Sequence, residues 1–362
     1  METIARLKLV IAVLCFASAQ AAAQFSARDS LEAVFKRSLD DSLRMRLIVE
    51  MALQYETVDF AKSQQYAEQA IIMAERMKEP WALAIAYKTM GITQILLGDY
   101  STALRYSTQY LQTSASMGDS TMMASAYNTI GDHYYDLGEY DEAYYYFTQS
   151  YRLGQKKSDS IIMAIALHNV GRVFKVLGQY DRAKIHLELS RKISREAGDA
   201  LGEPYSLDEL GDLLIRKGEY DSALVLLKQS LSLLRFIKDQ ILEPRTTARI
   251  ANVYYRKGDY TTAFRYYDSA SAKYAETKNK LGTGEIEIGK GQIYAQQGKF
   301  EEAKTSFEKS LSIAKQLNAR TLEIRCFNNL SRLWDNRGDH KKALEYYKSY
   351  KLLEDSLFSQ EM

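Results

Sequence analysis

The stretch Ser125-Ala126-Tyr127-Asn128-Thr129-Ile130-Gly131-Asp132-His133-Tyr134-Tyr135-Asp136-Leu137-Gly138-Glu139-Tyr140-Asp141-Glu142-Ala143 decides the fold. Its first eleven residues carry apolar side chains at helical spacing. Gly138 ends that helix, because a glycine just past a helix terminus takes up the left-handed turn without a Cβ penalty. Asp141 is expected to cap a second helix, from about Glu142 to Gly154, through its side-chain oxygen. A polar turn, Lys156-Lys157-Ser158-Asp159, then leads into another unit.

Outward from this stretch the pattern recurs every 40 residues. The glycine returns as Gly98, Gly178, Gly218, Gly258, Gly298 and Gly338, and the alanine as Ala103, Ala183, Ala223, Ala263, Ala303 and Ala343. Capping residues are expected at Ser101, Asp181, Asp221 and Thr261. The aromatic after the turn is Tyr100, Tyr140, Tyr180, Tyr220, Tyr260 or Phe300, suited to plugging the angle between two helices, with His340 in its place in the last unit. Gly131 recurs as Gly91, Gly171, Gly211 and Gly291, with Ala251 and Ser331 as small substitutes. Small residues on facing helices let the backbones approach while bulky neighbours fill the remaining space. A fixed period of this length, each unit a helical hairpin, predicts an all-α right-handed superhelical solenoid of about eight units.

Units carrying Gly131, Tyr134, Gly138, Tyr140 and Ala143 resemble tetratricopeptide repeats. Their 40-residue period is similar to the longer-helix variety of Rap-type bacterial peptide receptors and MalT-like regulators. The resemblance divides the chain into seven repeats at 84–354, a degenerate capping repeat at 44–83 and a tail at 355–362. In the degenerate repeat Phe60 and Ala70 are kept, but Val58 and Ser63 stand where glycine and alanine belong.

Composition agrees with helical hairpins. The 362 residues are 46% hydrophobic and include only 3 prolines. Formal charge is +2, from 48 basic and 46 acidic residues mixed along the chain, so no field of one sign points to nucleic acid or an anionic membrane. Arg6 and Lys8, the short apolar run Leu9 to Ser18, and Ala19-Gln20-Ala21-Ala22-Ala23 read as a signal peptide at 1–23, cut near Ala21 to Ala23, with a lead-in segment at 24–43. Cys15 raises a lipoprotein anchor, against which Leu14 stands where a small residue is needed. The expected product is exported, periplasmic or secreted, without a membrane span in the mature chain. Cys326 is then its single thiol, expected buried and inert.

Chemistry-bearing patterns are sparse. His133, His168, His186 and His340 lack metal-ligand spacing, there is no cysteine cluster, and no phosphate-binding loop occurs, so neither metal, cofactor nor catalytic residues are expected. Gly282, Gly284, Gly289 and Gly291 crowd one helix and suggest a hinge, since each interior glycine weakens a helix by roughly 1 kcal/mol.

The resemblance implies that the first helix of each unit lines a concave groove. By position this assigns Asn128, Asp132 and Tyr135; His168, Arg172 and Lys175; Asp208, Asp212 and Arg216; Asn252, Tyr255 and Arg256; then Gln292 and Arg332. Toward the N-terminus the same face turns apolar at Ile92, Ile95 and Leu96. Arginine and lysine suit carboxylates, asparagine and glutamine an extended backbone, and tyrosine contact area, so the expected partner is a protein or peptide segment. The bland alternative is a solvated polar face. Tyr347, Tyr350, Leu353, Leu357 and Phe358 carry an apolar stripe into the tail, which suggests self-association or a continuation. That tail resembles the junction in exported tetratricopeptide sensors of Bacteroidetes-like bacteria. The expected role is therefore a non-catalytic binding scaffold serving as the input region of a signalling protein, with a stand-alone periplasmic assembly or scaffold factor as the alternative.

Overall fold

The structure, a computed structural model, describes residues 31–37, 40–56, 59–97, 99–317 and 319–359, with side chains of the last helix described to residue 355 and that of Leu96 left out. The expected signal peptide, Val58, Gly98, and the side chains of Leu357 and Phe358 lie outside the described residues. A short helix α1 (31–37) precedes sixteen longer ones. These pair as α2 (Asp41–Tyr55) with α3 (Phe60–Met77), α4 (Pro80–Leu97) with α5 (Tyr100–Ser116), and α6 (Ser120–Leu137) with α7 (Tyr140–Lys157). Next come α8 (Ser160–Val176) with α9 (Tyr180–Glu196), α10 (Gly202–Lys217) with α11 (Tyr220–Ile237), and α12 (Leu242–Arg256) with α13 (Tyr260–Glu276). The last pairs are α14 (Lys280–Gln296) with α15 (Phe300–Leu317) and α16 (Arg320–Arg337) with α17 (His340–Ser359). From α2 to α17 each helix packs on its neighbours in sequence, so the described chain is a solenoid of eight hairpins.

The glycine ladder works as anticipated. Gly138 has φ of 86°, and Glu139 N–H donates to the carbonyl of Tyr134 at 2.9 Å, closing the end of α6. The caps differ from the sequence expectation. The second helix of each unit begins at the aromatic residue, so Ser101, Asp141, Asp181, Asp221 and Thr261 are second residues of helices. The cap position falls two earlier. There Asp99 and Asp259 accept from the N–H of Thr102 and Thr262 at 3.1 and 3.0 Å, while Glu139, Gln179 and Glu219 make no side-chain cap bond. The first helices carry a cap ladder of their own. Asp119, Asp159 and Asn279 accept from Met122, Ile162 and Gly282, while Asp199 and Asp239 accept from Leu201 and Ile241.

The small residues mark where large ones enter. A Cβ on Gly131 would sit 2.6 Å from the Phe147 ring, one on Gly171 2.7 Å from Leu187, one on Gly211 2.6 Å from Leu227, and one on Gly291 2.5 Å from Phe307. Phe147 in turn shares a core with Val170 and Val173 of the next unit, so one side chain ties two hairpins. The α14 glycines have the same cause: Tyr274, Leu322, Tyr267 and Phe307 fill the space beside Gly282, Gly284, Gly289 and Gly291. Packing accounts for a cluster that reads, in sequence, as a hinge. In the first hairpin Ser63 replaces alanine yet is fully buried, its hydroxyl donating to the Ala52 carbonyl at 2.9 Å. At the other end Tyr347 is 46% exposed, where Phe147, Leu187 and Leu227 are at 0%, because no following first helix lies over α17 among the described residues.

Candidate functional site

The inner face is defined by which helices crowd together. First helices touch the first helices of neighbouring units all along the chain, from α2–α4 to α14–α16, and no pair of second helices touches as extensively. Elements on the inside of a curve lie closest, so α4, α6, α8, α10, α12, α14 and α16 line the concave side.

At the centre of that face the polar side chains engage one another. Arg172 reaches back to Asp132, Nη1 to Oδ1 at 2.8 Å, bonds Asn169 at 3.0 Å, and lies 4.4 Å from the centroid of the Tyr135 ring. Lys175 is buried and donates to both Glu209 and Asp212. Asp208 is wholly buried, bonded by Arg249 and by the Thr246 hydroxyl at 2.8 Å, with Arg245 3.6 Å away. Arg249 also holds Glu209 at 3.0 Å. Burial opposes ionisation of Glu209, but Arg249 and Lys175 overcome it and hold the carboxyl well below its usual range. For Asp208 burial prevails over Arg249 and Arg245 and raises the pKa. His168 stays neutral, its pKa lowered to about 3 by burial; among the described residues its Nδ1 has no hydrogen-bond partner, and neither has the enclosed Asn128 Oδ1. Asp136 is exposed on α6, yet desolvation by the surrounding protein and the charge of Asp132 push its carboxyl up to about 6.

Further along, Asp212, Arg216, Asn252 and Arg256 come together in one open cleft of about 510 Å³ between the C-terminal ends of α10 and α12. Arg216 is half-exposed and only 3.4 Å from Asp212, and Arg256 leans toward the Tyr255 ring at 6.0 Å. Gln292 donates to Asn329 at 3.2 Å, and Arg332 stands exposed on α16, apart from the cleft. The fourteen expected groove residues thus divide. Arg172, Lys175 and Asp208 are spent on internal ion pairs, whereas Arg216, Asn252, Arg256 and Arg332 face solvent wholly or in part. Sequence reading missed Glu209, Arg245, Arg249 and the Glu285–Arg325 pair. The available signal was opposite charges exactly one repeat apart, as in Glu209/Arg249 and Glu285/Arg325.

A superhelix of helical hairpins with an inner polar groove is the architecture of helical-repeat binding proteins. The tetratricopeptide repeat family model matches residues 122–196, 162–235, 243–316 and 283–350, more than half of the chain, and the protein belongs to that family. Solved structures share the fold at low identity. A Rap protein complexed with Competence and Sporulation Factor superposes with a TM-score of 0.65 at 12% identity, covering 95% of this chain and 99% of that one. The Rap conjugation gene regulator of plasmid pLS20, in complex with the Phr* peptide, gives 0.65 at 14%, covering 93% and 96%. The apo quorum sensor NprR from B. thuringiensis gives 0.61 at 15%, covering 90% and 91%. A search of curated proteins finds no match.

Proposed function

We propose that this protein is a non-catalytic receptor for a peptide, or for a peptide-like segment of a partner protein, laid along the inner face of its superhelix. The observation that carries this reading is the convergence of Asp212, Arg216, Asn252 and Arg256 in one open cleft on that face. Such a cleft offers charged forks and an amide to a bound chain, and repeat solenoids use their extended concave surfaces for binding. The likeness to Rap regulators solved with a factor or peptide bound supports the same reading, as does the likeness to the quorum sensor NprR. Within it, we place the protein in a signalling system as an exported sensory module, whose ligand shifts the pitch of the stacked hairpins; the basic start and apolar run at 1–23 support export. None of the described helices is long and apolar enough to cross a membrane.

The test is selection of binders from a displayed random-peptide library on the full chain. Selected peptides are expected to lose most of their affinity for the triple variant Asn252→Ala, Arg256→Ala, Gln292→Ala. Peptides that bind this variant undiminished would move the ligand off the inner face.

A further inference from the structure

The cleft between α10 and α12 has a chemical bias. Arg216, Lys217 and Arg256 converge on it, with the Asn252 amide and the Tyr220 ring completing its walls. The one carboxylate inside, Asp212, is already held by Lys175 from the buried side, so it neutralises Arg216 only in part. Among the described residues no carboxylate lies within ion-pair distance of Arg256. Lys217 reaches Glu219 at 3.2 Å, and Lys257, just beyond, is taken by Asp221. The cleft therefore holds an uncompensated positive charge in a chain whose overall balance is only +2. The central charges of the face, by contrast, are matched pair by pair at Asp132–Arg172, Lys175–Glu209 and Asp208–Arg249. Two planar guanidinium forks beside an amide donor are suited to receive carboxylates bidentately, and the cleft opens on the groove where a peptide chain would run.

We propose that this cleft selects the acidic residues of the bound segment, taking glutamate or aspartate side chains between Arg216 and Arg256 with Lys217 at the rim. The proposal rests on the peptide-receptor reading and names the ligand class within it.

The probe is an acetylated, amidated tetraglutamate peptide, titrated against the full chain at low and high salt, beside a tetralysine peptide and inorganic phosphate. Tetraglutamate is expected to bind and tetralysine not, with affinity falling as salt rises, because the contacts are partly solvated. Arg216→Ala and Arg256→Ala are each expected to weaken tetraglutamate about 5-fold to 10-fold, and Arg216→Glu with Arg256→Glu to abolish its binding. Both positions are on the surface, and unchanged circular dichroism and melting will show that the variants fold. Tetraglutamate binding that survives the double reversal would overturn the assignment, and so would phosphate binding as tightly as tetraglutamate, which marks a simple anion site. If library peptides without acidic residues bind and lose affinity in the Asn252, Arg256, Gln292 variant, the receptor reading stands and this specificity falls. If no peptide binds, both fall.

Discussion

Arg249 on α12 holds Glu209 on α10 across 40 residues of sequence, Nη2 to Oε1 at 3.0 Å. Arg172 and Asp132 make the same step two units earlier, and Arg325 and Glu285 make it two units later. Ion pairs set one repeat apart therefore bridge the inner face at three junctions, α6–α8, α10–α12 and α14–α16.

Breaking a buried ion pair should cost far more than breaking an exposed one. Lys175 and Glu209 are 4% and 5% exposed, so Lys175→Met leaves a buried carboxylate short of a partner and is expected to destabilise by about 3 kcal/mol. Lys257→Met removes a pair whose acid, Asp221, is 87% exposed, and is expected to cost less than about 1 kcal/mol. Urea unfolding of both variants checks the contrast; equal losses would contradict it.

The small residues should resist even one methyl group. Gly131→Ala would drive a Cβ to within 2.6 Å of the buried Phe147 ring, and a loss of about 1–3 kcal/mol is expected. In a Phe147→Ala background, where nothing is left to meet the new methyl, the same change should cost less. Thermal melts read both, and an equal cost in the two backgrounds would mean that the ring is not the cause.

At the turn from a second helix to the next first helix, Lys238 has φ of 58°, a left-handed conformation that Gly198 fills one repeat earlier. Lys238→Gly should therefore stabilise by roughly 0.5 kcal/mol, as the strain removed slightly exceeds the added unfolded-state entropy. A lower melting temperature would contradict this.

His133 is buried against Ser107, Nε2 to Oγ at 2.6 Å, and burial lowers its pKa from 6.5 to about 4. Above pH 6.5 it is neutral whether folded or not, and its contribution is intact. Between 6.5 and 4 the unfolded chain takes up a proton that the folded chain refuses, so stability falls with pH. By pH 5 this site should account for a loss of about 2 kcal/mol, which His133→Gln removes. Urea titrations at pH 7.5 and 5 decide it; an unchanged pH dependence in the variant would assign the loss elsewhere.

Cys326 is fully buried, bonded to the Ser310 hydroxyl at 3.2 Å, and burial pushes its thiol up to about 11. In a Cys15→Ser background, maleimide labelling should proceed only as fast as the chain unfolds. Rapid labelling of the folded protein would contradict the packing of α15 on α16.

The period, the hairpins and their packing were readable because a solenoid imposes the same constraint at the same place in every unit. Gly131 and Ala143 are dictated by backbone approach, and that demand has few chemical solutions. The caps were misplaced by two residues because Asp141 and Asp99 are equally good capping residues, and only the helix start at Tyr140 or Tyr100 decides between them. The groove was legible as a face and less so as chemistry. Arg172 and Arg256 sit on the same side of their helices, but one is committed to Asp132 and the other is open to a ligand. That distinction depends on which side chains of the next unit come within reach, and helical periodicity carries no such information.

Photo-crosslinking of a peptide selected on the full chain decides whether the ligand lies on the concave face. A benzophenone side chain is placed at Asn252 on the inner face, and in a second variant at Val225, exposed on α11. A crosslinked peptide is expected from position 252 and none from position 225; crosslinking from position 225 alone would put the ligand on the outer face.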